Sequence, residues 1–336
     1  MKKSLLISSI VVATAAFVFS SCDSRLDVLP TQTLETGASL KTVKDLQAYL
    51  VGCYDGLQTG GDTYSGGFMY TSELLGNDGV EFRFGGTFSN LLEIDSKAIT
   101  RTNSTAENTW VRAYNTINRC NTILANLDKT TDKIEPETKD LFEGEASFIR
   151  GAIYFELTRL YGKQWGDGDN AANPSVPLVT TPTTVITDAE SRPRANVAAI
   201  YAQVISDLTK AEAKLPAKNG FFVNKWAASG LLARVYLQQG NYMAARDAAS
   251  KVIESAQFSL TKAFKDAFNS KLTNNGSNPS EYIFAVQVSD QDGTNGMNTF
   301  FGTTLTSVPG TSGRGDMRIL APHIALYDSL DVRGKF

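Results

Sequence analysis

Apolar side chains recur at three- and four-residue spacings between residue 39 and about residue 270, the period of helices with a buried face. The first such segment, SLKTVKDLQAYLVGCYDGL, offers Ser39 as an N-cap and lines up Leu40, Val43, Leu46, Leu50 and Tyr54. The period returns over 106–128 (AENTWVRAYNTINRCNTILANLD) and again from Thr138 to Tyr161. It is cleanest where Val197, Ile200, Tyr201, Val204, Leu208, Ala211 and Leu215 share one stripe, with Pro216 as the stop. Two more helices are predicted over 224–239 and 241–256, joined at Gly240. Beyond 270 the texture changes, and EYIFAVQVS (281–289) has the composition of a strand.

Three stretches interrupt this pattern. Residues 59–105 mix Gly, Asn, Asp and Ser with scattered Phe and Tyr; 162–195 and 290–315 are rich in Gly, Asn and Thr. Long irregular segments in otherwise compact chains are often functional.

Within the helical part, GEASFIRGAIYFELTRLYG (144–162) sets Glu145, Arg150, Glu156 and Arg159 among apolar residues on nearly every face. A helix covered on most sides must pair its charges or send them to an edge. Glu156 and Arg159 are three apart and can pair along the helix. Arg150 is placed to reach carbonyls or a carboxylate on a neighbouring helix, so these charges read as structural, not catalytic. The helices flanking Gly240 fit a tetratricopeptide template at Leu232, Ala233, Tyr236, Gly240, Tyr242 and Ala245, and depart from it at Ala249.

The N-terminus bears on compartment. Lys2 and Lys3 precede an uncharged apolar run from Leu5 to Phe19, then Ser20, Ser21 and Cys22. The run is short for a bilayer span, which needs roughly 20 residues, and has the layout of a cleaved signal. A cysteine directly after small residues fits a bacterial lipoprotein signal over 1–21, with Phe19 where an aliphatic residue is usual. Acylated Cys22 would then anchor the protein in lipid without spanning it, and residues 22–36 would form a polar tether.

The charge balance, 32 basic against 35 acidic residues, leaves no basic footprint for nucleic acid. Besides Cys22 there are only Cys53 and Cys120, expected as buried free thiols and not as a disulfide scaffold. His323 is the single histidine, so a His-rich metal site is excluded and a Ser-His-Asp triad would depend on that one residue. It follows Pro322 at a predicted helix start and reads as structural. No cofactor or metal is expected. DGDNA (167–171) opens like a calcium loop, but Ala171 and Leu178 occupy ligand positions.

Taken in order, the motifs resemble the SusD/RagB family, the surface nutrient-binding lipoproteins of Bacteroidetes. The resemblance rests on Cys22-Asp23 followed by LDVLP, then on Trp110 to Leu124 with its Tyr and recurrent Asn, and most on 144–162. VPLV (176–179), SRPRANVAAIYAQVISDLTKAEAKLP, WAASGLLARVYLQQGNYMAARDAASKVI, EYIFAVQ and YDSLDVRGKF complete it. Gly151 stands where Ala is usual, and family members normally continue well past Asp331-x-Arg333, so part of the family's C-terminal portion is expected to be missing from the 37–336 domain.

The resemblance implies a mainly α fold, with tetratricopeptide-like helix pairs in a right-handed superhelical scaffold. Long irregular loops and a few short strands in the C-terminal part complete it. It implies a non-catalytic glycan-binding protein on the outer-membrane surface that hands ligand to a SusC-like TonB-dependent transporter. Two other readings stay open: a transporter-docking lid that takes a nutrient such as peptide, and a hydrolase built on two carboxylates.

Sugars stack their apolar faces on aromatic rings while flanking polar groups bond the hydroxyls. The aromatic-bearing loops therefore supply the candidates. These are Tyr64, Phe68, Tyr70, Phe82, Phe84 and Phe88 with Asn77, Asp78, Arg83 and Asn90. Trp165 comes from the 162–195 loop, and Asn298, Phe300, Phe301, Arg314 and Asp316 from the last one. Trp110 and Trp226 read as helix-packing residues.

Overall fold

The computed structural model describes residues 40–184, 192–267, 279–287 and 315–335, all in the unit that begins at Leu40. Among these, the elements are α1 (Val43–Gln58), α2 (Gly67–Gly76), β1 (Phe82–Phe84), α3 (Ser89–Asp95), α4 (Ser104–Asn126) and α5 (Pro136–Tyr161). They continue with α6 (Val197–Lys214), α7 (Lys225–Gln238), α8 (Tyr242–Glu254), β2 (Met317–Ile319) and α9 (Ala321–Ile324). The chain is mainly helical, as expected. Helices pack in sequence: α1 on α4, α4 on α5, α5 on α6, α6 on α7 and α7 on α8. No helix among the described residues is long and apolar enough to cross a membrane.

Local chemistry explains the boundaries. Four helices start at an asparagine whose side-chain oxygen accepts an amide of the first turn: Asn103 from Ala106, Asn196 from Ala199, Asn224 from Ala227 and Asn241 from Ala244. α1 starts later than its Ser39 reading. Thr42 and Asp45 form a reciprocal box, with Asp45 N donating to Thr42 Oγ1 (3.1 Å) and Thr42 N to Asp45 Oδ2 (2.8 Å). Gly240, at φ 70°, makes the turn between α7 and α8 in a left-handed conformation open to glycine.

Two expectations are corrected. Residues 59–105 are less irregular than their composition suggests, since α2, β1 and α3 lie there. Residues 281–287 form no strand, because no described residue offers them a ladder; they lie against helices instead, with Asn224 Nδ2 donating to Ile283 O (3.4 Å).

The core follows the predicted stripes. Val197, Ile200, Tyr201, Val204, Leu208, Ala211 and Leu215 are all buried, and α5 is buried continuously from Gly144 to Thr158. Its charges are paired. Arg150 donates through Nε and Nη2 to both oxygens of Asp207 on α6 (2.8 and 2.6 Å) and through Nη1 to Asn121 on α4 (2.8 Å). Arg159 Nη1 donates to Glu156 Oε2 (2.5 Å) three residues away. A Cβ at Gly151 would stand 3.1 Å from Asp207 Cβ and 3.3 Å from Leu208 Cγ, so the glycine sits at a close approach of α5 to α6. Cys53 and Cys120 are buried and free. β1 and β2 form an antiparallel ribbon over a second, small core of Tyr70, Leu74, Phe82, Phe84, Leu91, Ile94 and Met317.

Candidate ligand-binding site

The connection from α6 to α7, LPAKNGFFVN (215–224), carries two adjacent phenyl rings in solvent. Phe221 is 56% exposed and Phe222 41%. The loop turns through Gly220 at φ 59°, and Phe222 N donates to Asn219 O (3.0 Å). Buried Leu215 and Val223 fix its two ends in the core. With Asn219, Gln257, Tyr282 and residues 283–285, the two rings line an open cleft of about 340 Å³. Rings flanked by amides and a phenol make the alternation that saccharides require.

What holds the loop is a charge of the α5 helix. Glu145 Oε1 accepts from Asn219 Nδ2 (2.7 Å), and the same amide donates to Val223 O (2.8 Å). Tyr54 on α1 also hydrogen-bonds Glu145, and its hydroxyl oxygen accepts from Val223 N (3.1 Å). The Tyr54 ring tilts against Phe222 at 4.9 Å between centroids. Burial pushes the Glu145 carboxyl up to about 7, against the partial stabilisation from Asn219 and Tyr54. Burial likewise raises the Tyr54 phenol well above its ordinary range.

The aromatics singled out in the sequence are placed otherwise. Tyr70, Phe82 and Phe84 are buried in the small core, with Tyr70 Oη donating to Gly61 O (3.2 Å). Rings covered on both faces anchor their own loops and offer no platform to a sugar. Tyr64 is half-buried; its hydroxyl donates to Ala152 O (3.3 Å), and its ring meets Phe68 edge-on. It walls an apolar cavity of about 450 Å³ with Phe148, Leu231 and Ile283. Trp165 is half-buried against Tyr201 at 4.8 Å. Phe88 is exposed at the head of α3, and Asn90 Nδ2 donates to Thr105 Oγ1.

Arg83 is exposed on the ribbon and, through the pairing of β1 with β2, stands beside Arg318. Asp316 is buried. Cys22, Asn298, Phe300, Phe301 and Arg314 lie outside the described residues. Trp110 packs against Tyr114 and Tyr161, as read, and the ammonium of Lys225 lies over the Trp226 ring. Phe221 and Phe222 were missed by sequence reasoning. The available signal was the tandem Phe flanked by Gly and Asn just after the Pro216 stop.

Comparison with known proteins places the scaffold. A SusD-like family model, described as starch-binding associating with outer membrane, matches residues 26–237. A SusD-like protein of Formosa agariphila is 26% identical over 75% of this chain and 46% of its own. Another from that organism is 23% identical over 92% of this chain and 59% of its own. The chain thus spans about half the length of these curated relatives. Among solved structures, a SusD superfamily protein of Bacteroides thetaiotaomicron superposes with a TM-score of 0.65 at 26% identity, covering 76% of this chain and 55% of that one. One from Bacteroides vulgatus gives 0.75 at 21% identity, over 88% and 65%. With the helix order, the motifs and a family match over more than half of its length in agreement, the chain belongs to the SusD/RagB family.

Proposed function

We propose that this protein binds glycan without catalysis at the outer-membrane surface, with Phe221 and Phe222 as the stacking platform. The observation that carries the reading is the pair of exposed rings set beside hydrogen-bonding amides on a scaffold from a carbohydrate-binding family. Acylated Cys22 would hold the chain to lipid, and a SusC-like TonB-dependent transporter would receive the ligand. The buried charges of α5 support a non-catalytic role. Arg150 and Glu156 are consumed in pairs, and Glu145 is consumed in holding the loop.

The test is affinity electrophoresis of the full chain, kept soluble in mild detergent, through gels containing neutral and acidic polysaccharides. A stacked ring contributes about 1 kcal/mol, so a Phe221→Ala/Phe222→Ala double variant should lose roughly thirtyfold in affinity. Both rings are solvent-exposed, so the variant should keep the wild-type circular dichroism. Undiminished retardation in the double variant would remove the platform from this loop. Mobility unaffected by every polysaccharide would leave the transporter-docking lid as the better reading.

A further inference from the structure

The ribbon places two guanidinium side chains next to each other. In its register Arg83 lies opposite Arg318, while Phe82, Phe84 and Met317 are buried on the other face. Leu320 N donates to Glu81 O (3.0 Å) and Gly85 N to Asp316 O (2.7 Å), so every second pair, Arg83 with Arg318 included, is a hydrogen-bonded one. Their Cα atoms are then about 5.5 Å apart. Like charges directly opposite on a ribbon are destabilising. Two acids share this face. Exposed Glu81 pairs with neither arginine, and Asp316 is buried and already engaged. Among the described residues, neither arginine makes an ion pair. A local choice that opposes the fold, with no compensating contact among the described residues, is the kind expected at a functional or strained position.

We propose that Arg83 and Arg318 form an anion site that takes the carboxylate or sulfate groups of an acidic polysaccharide. Each guanidinium is a planar fork that matches an oxyanion bidentately, and the cross-strand spacing lets both forks converge on one group. An anion between them turns their repulsion into attraction. Two adjacent cations on a chain of net charge −3 suit a polymer with one anionic group per sugar better than densely charged nucleic acid or a lipid surface. The inference rests on the glycan reading above only for the class of polymer; its residues lie on a different element.

The experiment runs the full chain through gels of polygalacturonate, a sulfated galactan and neutral amylopectin. Retardation by an acidic polymer is expected to weaken at least fivefold in both Arg83→Ala and Arg318→Ala, to recover only partly in Arg83→Lys, and to fall as salt is raised. Without ligand, each alanine variant should melt at or above the wild-type temperature, since a repulsion has been removed. Acidic gels that leave the chain unretarded, or that retard wild type and both alanine variants alike, overturn the proposal. Retardation by amylopectin alone, lost in the Phe221/Phe222 variant, overturns it while sustaining the function proposed above. Arginine-dependent capture by anionic-lipid vesicles without any response to acidic polysaccharide also overturns it. Arginine-dependent retardation that survives loss of both phenyl rings supports the anion site and counts against the aromatic platform. No retardation in any gel sinks both.

Discussion

Replacing Arg150 by Met tests what holds the helix stack together. Arg150 is 6% exposed and the Asp207 side chain 1%, so the substitution strands a carboxylate in the core where, among the described residues, Gln203 Nε2 alone still donates to it (2.9 Å). Burial opposes the Arg150 charge, but the bonds and charge of Asp207 outweigh it and hold the guanidinium above its ordinary pKa. Breaking one side of such a pair costs about 3–5 kcal/mol, a large part of a typical stability of about 5–15 kcal/mol. At roughly 2–4 °C per kcal/mol for a domain of this order of size, the melting temperature should fall by about 6–20 °C. Making both members of the pair apolar removes the stranded charge, so Arg150→Met/Asp207→Leu should recover most of the loss. The assay is urea unfolding by circular dichroism for wild type, both single variants and the double, closing a cycle. A single variant that loses under about 1 kcal/mol, or a double variant that equals the sum of the singles, would refute the clamp.

Glu145 predicts a pH dependence in the opposite sense to an ordinary salt-bridged acid. Its folded-state value of about 7 lies above the ordinary 4.5, so its contribution is complete below 4.5 and is lost as pH rises toward 7. Urea midpoints should decline across that window, and Glu145→Gln should flatten the decline while leaving the loop anchored; an unchanged slope would contradict the assignment. Gly56 faces Thr116 across the α1–α4 contact, where an added Cβ would come within 2.2 Å of Thr116 Oγ1. Gly56→Ala should therefore cost about 1–3 kcal/mol by thermal unfolding, and Gly56→Ala/Thr116→Ala should recover most of that.

The parts of this fold legible in the sequence are those whose burial is one-sided. α6 exposes one face and buries the other, so its seven-residue stripe reads directly as the core it forms. The charges of α5 were legible as paired because each needed a partner, though not which one: Asp207 is 57 residues away from Arg150. Tyr70, Phe82 and Phe84 misled because an aromatic in a polar loop looks the same whether its ring is covered or open. Phe82 and Phe84 are covered because β1 finds β2, a contact that local composition does not encode. For the same reason 281–287 reads as a strand and is not one: β composition names a candidate, but a ladder needs a partner. Phe221 and Phe222 were overlooked because a ten-residue connection after Pro216 reads as punctuation between two helices.

That short connection also shows why the greasy, charged helix is built as it is. Glu145, Arg150 and Glu156 sit on the same buried helix and reach in three directions. Arg150 reaches α4 and α6, and Glu145 reaches the 215–224 loop and α1. Glu156 reaches Tyr64 at 3.5 Å, Arg159, and Arg234 on α7 at 4.0 Å. An all-apolar α5 would bury as much surface, but apolar contact has no direction and would fix neither the register of its neighbours nor the posture of a loop. Directed bonds from a rigid helix do both, and one of the segments they hold is the loop that keeps two phenyl rings partly in water. Keeping apolar rings exposed is unfavourable in the free protein. The two rings border a smaller pocket with Tyr54, Leu57 and Phe284, and Phe222 rests against the Tyr54 ring while keeping part of its surface in water. Glu145, bonded to Asn219 and Tyr54, ties the loop and that supporting ring to one helix. If the two rings are the platform proposed above, a buried carboxyl that touches no ligand would still act on binding, by fixing the loop before the ligand arrives.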